Sequence, residues 1–342
     1  MVLVWTDPCQ GPKLCYDSGA TLLLHSFGQE MEMEAWKTRA ARFVSRFITF
    51  IPLVRALMKY LPAAQRKRVW TYICDDKLAL HHHHFTVRTE YGRFTGDSAD
   101  LIPQYVYYFG HWEPVVSELI SRRLRPGQTF IDVGANTGWY TLLAAHRVGP
   151  TGRVVAIEPS PANFSWLSEN VKRNRLGNVH LVNEAAWSGE SELPFFQGPA
   201  SSSAVSSVMR SFAELKGCEQ RAQMVRARPL ATLLTPDEVS SMRVLKIDVE
   251  GAELEVVRGL EPVLDSAPND LELFLELNPG QYDVEELLQV FRKRGFRAWI
   301  IPNEYAPNYY LNFSRANLGV QLKELLSLPD SQIDVLLTRT PL

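Results

Sequence analysis

Past residue 128, short apolar runs alternate with longer amphipathic stretches. Phe130-Ile131-Asp132-Val133, Val154-Val155-Ala156-Ile157, Val179-His180-Leu181-Val182-Asn183, residues 244–247 and residues 271–277 are brief, and most are rich in β-branched residues. Such runs predict buried strands. Between them apolar residues recur at helical spacing. Phe164, Leu167 and Val171 form one stripe; Val284, Leu287, Leu288 and Phe291 form another, with Gly295 as its predicted C-cap. Residues 112–124 also read as a helix, and residues 297–301 and 333–337 as two last strands. Strands alternating with helices predict an open, mostly parallel sheet with right-handed crossovers.

The first third reads differently. Residues 1–35 show no clear periodicity and are expected to be poorly ordered. In residues 36–70 Lys37, Arg39, Arg42, Arg46, Arg55, Lys59, Arg66, Lys67 and Arg68 are basic and no acid intervenes, while Phe43, Phe47, Phe50, Ile51, Val54, Leu57 and Met58 recur at helical spacing. This predicts a basic amphipathic extension of two helices broken at Pro52. It is too charged to span a bilayer. Its apolar face is expected to pack on the α/β domain, with an anionic membrane surface as the alternative partner. His81 to His84 alternate faces if extended, which suits a turn or half-buried segment better than a metal site. Phe85, Val87 and Thr89 alternate between turn signals, and Gly92 and Gly96 are read as turn residues of a hairpin. The expected division is 1–35, 36–85 and an α/β domain over 86–342.

The ends of the predicted strands carry the chemistry. The first run meets Asp132 and opens into Gly134-Ala135-Asn136-Thr137-Gly138; the second ends in Glu158-Pro159. Glycines there allow close backbone approach to a ligand, and the second acid suits ribose hydroxyls. A pyrophosphate site uses G-x-G-x-x-G with no carboxylate facing the phosphates. Here the pattern is D-x-G-x-x-x-G, and Asp132 would repel a pyrophosphate. A ligand with an ammonium, a sulfonium and a ribose fits instead, which is S-adenosylmethionine. Glu184-Ala185, Asp248 and Glu276 end the next three strands. Ligands bind beyond the carboxyl ends of such strands, so five acids in register outweigh the alternative of a glycine turn that binds nothing.

These residues resemble the FkbM family of S-adenosylmethionine-dependent methyltransferases. The most specific stretch is Leu245-Lys246-Ile247-Asp248-Val249-Glu250-Gly251-Ala252-Glu253; Phe130 to Tyr140, Glu158-Pro159, Tyr108-Phe109-Gly110-His111-Trp112-Glu113-Pro114 and Pro229 to Leu234 are also similar. The resemblance covers about residues 86–300. It implies a class I methyltransferase fold, a doubly wound, mostly parallel seven-stranded α/β sheet whose final strand is antiparallel, and O-methylation of a small molecule such as a sugar or polyketide-like metabolite. The expected cofactor set is Glu113, Asp132, Gly134, Ala135, Asn136, Gly138, Glu158, Pro159, Glu184, Ala185 and Asp248.

Methyl transfer to an alcohol needs alignment and a proton acceptor. Asp248 is the expected base, with Glu250 and His111 in reserve. Asp248, Glu276 and Asn278 also form a conceivable oxygen set for magnesium, but no metal is expected. Residues 302–318 hold Tyr305, Tyr309, Tyr310 and Phe313, which either wall an acceptor pocket or fill the domain's flank.

Composition narrows the alternatives. Net charge is −2, giving no general pull toward nucleic acid. Cys9, Cys15, Cys74 and Cys218 form no C-x-x-C pair, and no signal peptide is evident, so a reducing, cytoplasmic setting is expected. A nicotinamide-dependent oxidoreductase would show a third loop glycine and a Tyr-x-x-x-Lys pair; neither is present. A non-catalytic module docking through residues 36–70 is the other reading.

Overall fold

Most of the apolar runs become strands that are buried on both sides. In the computed structural model, which describes residues 84–98, 100–198, 206–218, 223–305, 309–310, 313 and 321–340 together with 60–62 and 65–66, a hairpin comes first. It is β1 (His84–Thr89) and β2 (Gly92–Asp97). Helices α1 (Leu101–Phe109) and α2 (Pro114–Arg123) lead to β3 (Thr129–Val133), α3 (Trp139–Val148), β4 (Arg153–Ile157), α4 (Pro161–Arg173) and β5 (Val179–Val182). Next come β6 (Ala185–Trp187), β7 (Ser191–Phe195), α5 (Arg210–Leu215), β8 (Gln223–Pro229), α6 (Leu230–Leu233) and α7 (Pro236–Ser240). The chain closes with β9 (Met242–Ile247), α8 (Glu253–Leu264), β10 (Glu272–Leu277), α9 (Val284–Arg292), β11 (Arg297–Ile301), β12 (Lys323–Glu324) and β13 (Ile333–Thr338).

The central sheet runs β12-β11-β13-β10-β9-β3-β4-β5. Strands β5, β4, β3, β9 and β10 pair in parallel, and β13 inserts antiparallel between β10 and β11. This is the expected class I arrangement, extended by the two-residue edge strand β12, so the sheet has eight strands rather than seven. Every residue of β3 and β10 is buried, which is why these segments show runs rather than alternation.

The helical stripes behave as predicted. Val284, Leu287, Leu288 and Phe291 are buried, and Asp283 caps α9 by accepting from the Glu286 amide at 3.0 Å. The C-cap is Lys293, however, and Gly295 (φ +81°) lies two residues beyond it. Gly96 is a strand residue opposite Phe85, not a turn residue. Sequence periodicity also overlooked α1, whose Tyr105, Tyr107 and Tyr108 are buried, and the second sheet β6-β8-β7.

The hairpin is tied to the glycine turn through one side chain. Asn170 on α4 accepts from the Thr95 amide at 2.7 Å and donates to the carbonyls of Thr95 (2.9 Å) and Thr137 (2.8 Å). Buried backbone groups need such partners. The expected extension over 36–85 falls almost wholly outside the described residues, as do His81 to His83 and most of residues 302–318. His84 opens β1 as an exposed residue near Asp97. Among the described residues no helix is long and apolar enough to cross a membrane.

Candidate active site

A cavity of about 290 Å³ opens where β3, β4, β9 and β10 end. On its β4 side are Ile157, Glu158, Pro159, Ala185, Ala186, Phe195 and Val208; the turn after β3 supplies Gly134, Ala135, Asn136 and Thr137. On its β9 side are Glu113, Lys246, Asp248, Glu250, Glu276 and Tyr305. Most of the expected site thus converges on one space.

Glu158 is 4% exposed. Its Oε2 accepts from the Asn136 amide and its Oε1 from the Ser160 amide, both at 2.8 Å. A carboxylate has about four lone-pair directions, so roughly two remain for ligand hydroxyls. Burial pushes Glu158 up to about 7, against the two backbone donors. That is the environment a ribose diol would relieve.

Asp132 sits elsewhere than expected. It is fully buried inside β3, does not line the cavity, and accepts from the Thr141 hydroxyl at 2.6 Å. Burial pushes it up to about 6, opposed by Lys246. Gly138 (φ +93°) likewise stays out of the cavity; it turns the chain into α3 against Leu167. Glu184 points away too, toward Arg226 (3.7 Å) and Arg228 (3.6 Å).

The group that sequence reading passed over is Lys246. It lies within β9, 5% exposed, with Nζ 2.6 Å from Asp248 Oδ2 and 4.7 Å from the centroid of the Tyr140 ring. Burial alone would lower its ammonium, but the carboxylates of Asp248, Glu113 and Asp132 overcome this and raise it. A lysine inside an apolar strand was the available signal, since a buried charge needs partners.

Glu113 is held in a left-handed conformation (φ +38°) just before α2. Its Oε2 accepts from Tyr140, and its Oε1 from Tyr305 (2.7 Å) and Asn303 (3.1 Å). Burial raises it above the usual carboxylate range, and Lys246 opposes this. Asn303 also donates to Asp334 at 2.7 Å. Glu250 (φ +56°) is raised well above its ordinary value by burial and then by Asp248. Glu253 accepts from the amides of Val249 and Gly251, and shapes the turn between β9 and α8.

His111 does not reach the cavity. It stacks on Tyr310 (5.7 Å between ring centres) and packs near Phe313. Of the aromatic loop, Tyr305 walls the cavity and Tyr310 fills the flank against Tyr105 and Phe109. Among the described residues no group of three His, Cys, Asp or Glu side chains is arranged to hold a metal.

A family profile, the Methyltransferase FkbM domain, matches residues 132–298. The chain is similar to the 31-O-demethyl-FK506 methyltransferase FkbM of Streptomyces tacrolimicus, 26% identical over 51% of this chain and 74% of that protein. It is equally similar to the hexuronic acid methyltransferase AglP of Haloferax volcanii, 26% identical over 52% of this chain and 67% of that protein. Another curated match extends over only 15% of its relative's length. A solved FkbM methyltransferase from Methylobacillus flagellatus KT aligns at 15% identity and TM-score 0.38, over 54% of this chain and 46% of its own. Residues 132–298 of this chain thus match the Methyltransferase FkbM domain, and the cavity at the strand ends is lined largely by residues of that matched stretch.

Proposed function

We propose that this chain transfers a methyl group to a hydroxyl of a small acceptor, such as a sugar or a polyketide-like metabolite. The supporting observation is that Asp248, ion-paired with Lys246, shares one cavity with Glu158. The FK506 relative, named for a 31-O-demethyl substrate, favours oxygen as the accepting atom.

In this reading Glu158 holds the ribose, and the backbone from Gly134 to Thr137 borders the rest of the cofactor. Ala185, Pro159 and Ile157 offer apolar wall for a base. Bound S-adenosylmethionine supplies an electrophilic methyl on a sulfonium. Asp248 accepts the hydroxyl proton as the new C–O bond forms and the C–S bond breaks, releasing a neutral thioether. The Lys246 ammonium, 2.6 Å from Oδ2, fixes Asp248 in direction. Alignment is expected to supply most of the rate. Glu250 is less suited, because burial and then Asp248 raise its affinity for a proton, which favours the neutral acid. His111 stands outside the cavity and has no role in this scheme.

Calorimetric titration with S-adenosylmethionine and with NAD, followed by an acceptor screen reading S-adenosylhomocysteine release, tests the proposal. Methylated product at oxygen is expected. NAD binding without S-adenosylmethionine binding would defeat it.

A further inference from the structure

The carboxyl groups on the β9 and β10 side of the cavity are unequally satisfied. Glu113 receives three donors, and Asp248 has Lys246. Glu276 is different. It is 6% exposed and lines the cavity, and one of its oxygens accepts from the Gln332 amide group. The other, Oε2, is buried and has no hydrogen-bond partner among the described residues. Leaving such an acceptor unmade is normally costly, so the site is shaped for a donor that arrives with a ligand.

The surroundings restrict that donor. Burial raises Glu276 well above the carboxylate range, and Asp248, Glu250, Glu253 and Asp334 raise it further. The cations lining the cavity are Lys246, already committed to Asp248, and Lys216. An incoming carboxylate or phosphate would be desolvated beside the Asp248 carboxylate, with Lys246 already paired and so little to offset the cost. A hydroxyl or an ammonium would complete Oε2.

Resting on the methyltransferase reading, we propose that Glu276 binds the acceptor. The acceptor then carries a second hydrogen-bond donor, hydroxyl or ammonium, beside the reacting hydroxyl, and no anionic group there. This makes it a polyol or an amino alcohol rather than a carboxylated sugar.

Two-carbon fragments test this on the full-length protein saturated with S-adenosylhomocysteine. Ethylene glycol, ethanolamine and glycolate share one hydroxyl and differ in the second group. Each is titrated while the unfolding temperature is followed, in the unmodified protein and in Glu276→Gln. Ethylene glycol or ethanolamine is expected to stabilise the unmodified protein, with half-saturation at least tenfold weaker in the variant. The stronger of the two assigns a polyol or an amino alcohol. Preference for glycolate overturns the proposal. So does the same response in both proteins for every fragment, which would mean that solvent satisfies Oε2. Calorimetry of S-adenosylhomocysteine alone separates the two levels. Failure to bind removes the methyltransferase reading and this inference with it, whereas normal binding with a glycolate preference removes only the inference. Normal binding by Glu276→Gln also shows that the variant is folded.

Discussion

A Cβ placed on Gly134 would stand 1.8 Å from the carbonyl oxygen of Asp248. The turn after β3 and the turn after β9 therefore occupy one contact, which only a residue without a side chain permits. The Asp248 amide also donates to the Val133 carbonyl at 3.0 Å. The two halves of the site, cofactor turn and expected base, are fixed to each other by backbone.

Gly134→Ala tests this directly. It meets both a positive φ of +82° and a backbone clash that no rotamer relieves. A loss of about 2–4 kcal/mol is expected from strain and overpacking. Urea denaturation and calorimetry would report the loss, together with weakened S-adenosylhomocysteine binding. Unchanged stability and affinity would mean that the turns are not in contact.

Glu158→Gln should weaken S-adenosylhomocysteine binding by at least an order of magnitude, since hydrogen bonds to a charged group contribute about 1.5–3 kcal/mol. The pH dependence follows from the sign. Burial raises this acid to about 7, so the folded protein carries an extra proton between its ordinary value and 7, and its ionisation lowers stability as pH rises through that window. Ribose hydroxyls favour the carboxylate, so affinity should increase as pH rises toward 7 and then level off. Glu158→Gln should flatten that increase. A flat curve in the unmodified protein would contradict the assignment.

Asp248→Asn separates chemistry from binding. Turnover should fall by about 10²–10⁴ while S-adenosylhomocysteine affinity changes by a few-fold. Rapid turnover with the asparagine would transfer the role to Glu250.

Lys246→Met removes the cation shared by Asp248, Glu113 and Asp132. Asp248 then loses the ammonium that fixes its direction, so turnover should fall more than S-adenosylhomocysteine affinity does. A double-mutant cycle with Asp248→Asn should give a coupling of about 0.5–3 kcal/mol. Additive effects would show that the 2.6 Å contact contributes nothing.

Most of the sheet was legible because its central strands are buried on both faces and are dominated by apolar residues. The cofactor turn was legible for the same reason that Gly134 is required: close backbone approach leaves a mark in composition. What was not legible depended on side-chain direction. Asp132 precedes Gly134 by two residues, and nothing in the sequence distinguishes an acid facing a ligand from one turned inward to Thr141. Glu184 follows a strand end and yet faces Arg226 and Arg228, which lie on β8 of a sheet that periodicity did not reveal. His111 belongs to a motif with Glu113, but two residues decide whether a ring enters the cavity or stacks on Tyr310.

The placement of β13 has a consequence for biosynthesis. This strand lies between β10 and β11, yet it is translated after both. On the ribosome β10 presents an open edge until residues 333–338 emerge, and edges of that kind invite mispairing. Gln332 and Asp334, which sit beside Glu276 and Asn303, arrive in the same late step. An emerging chain can therefore form its glycine turn and Glu158 well before the proposed acceptor wall at Glu276 is finished, so ligand rescue of a nascent or truncated chain would have to come from the proposed cofactor side.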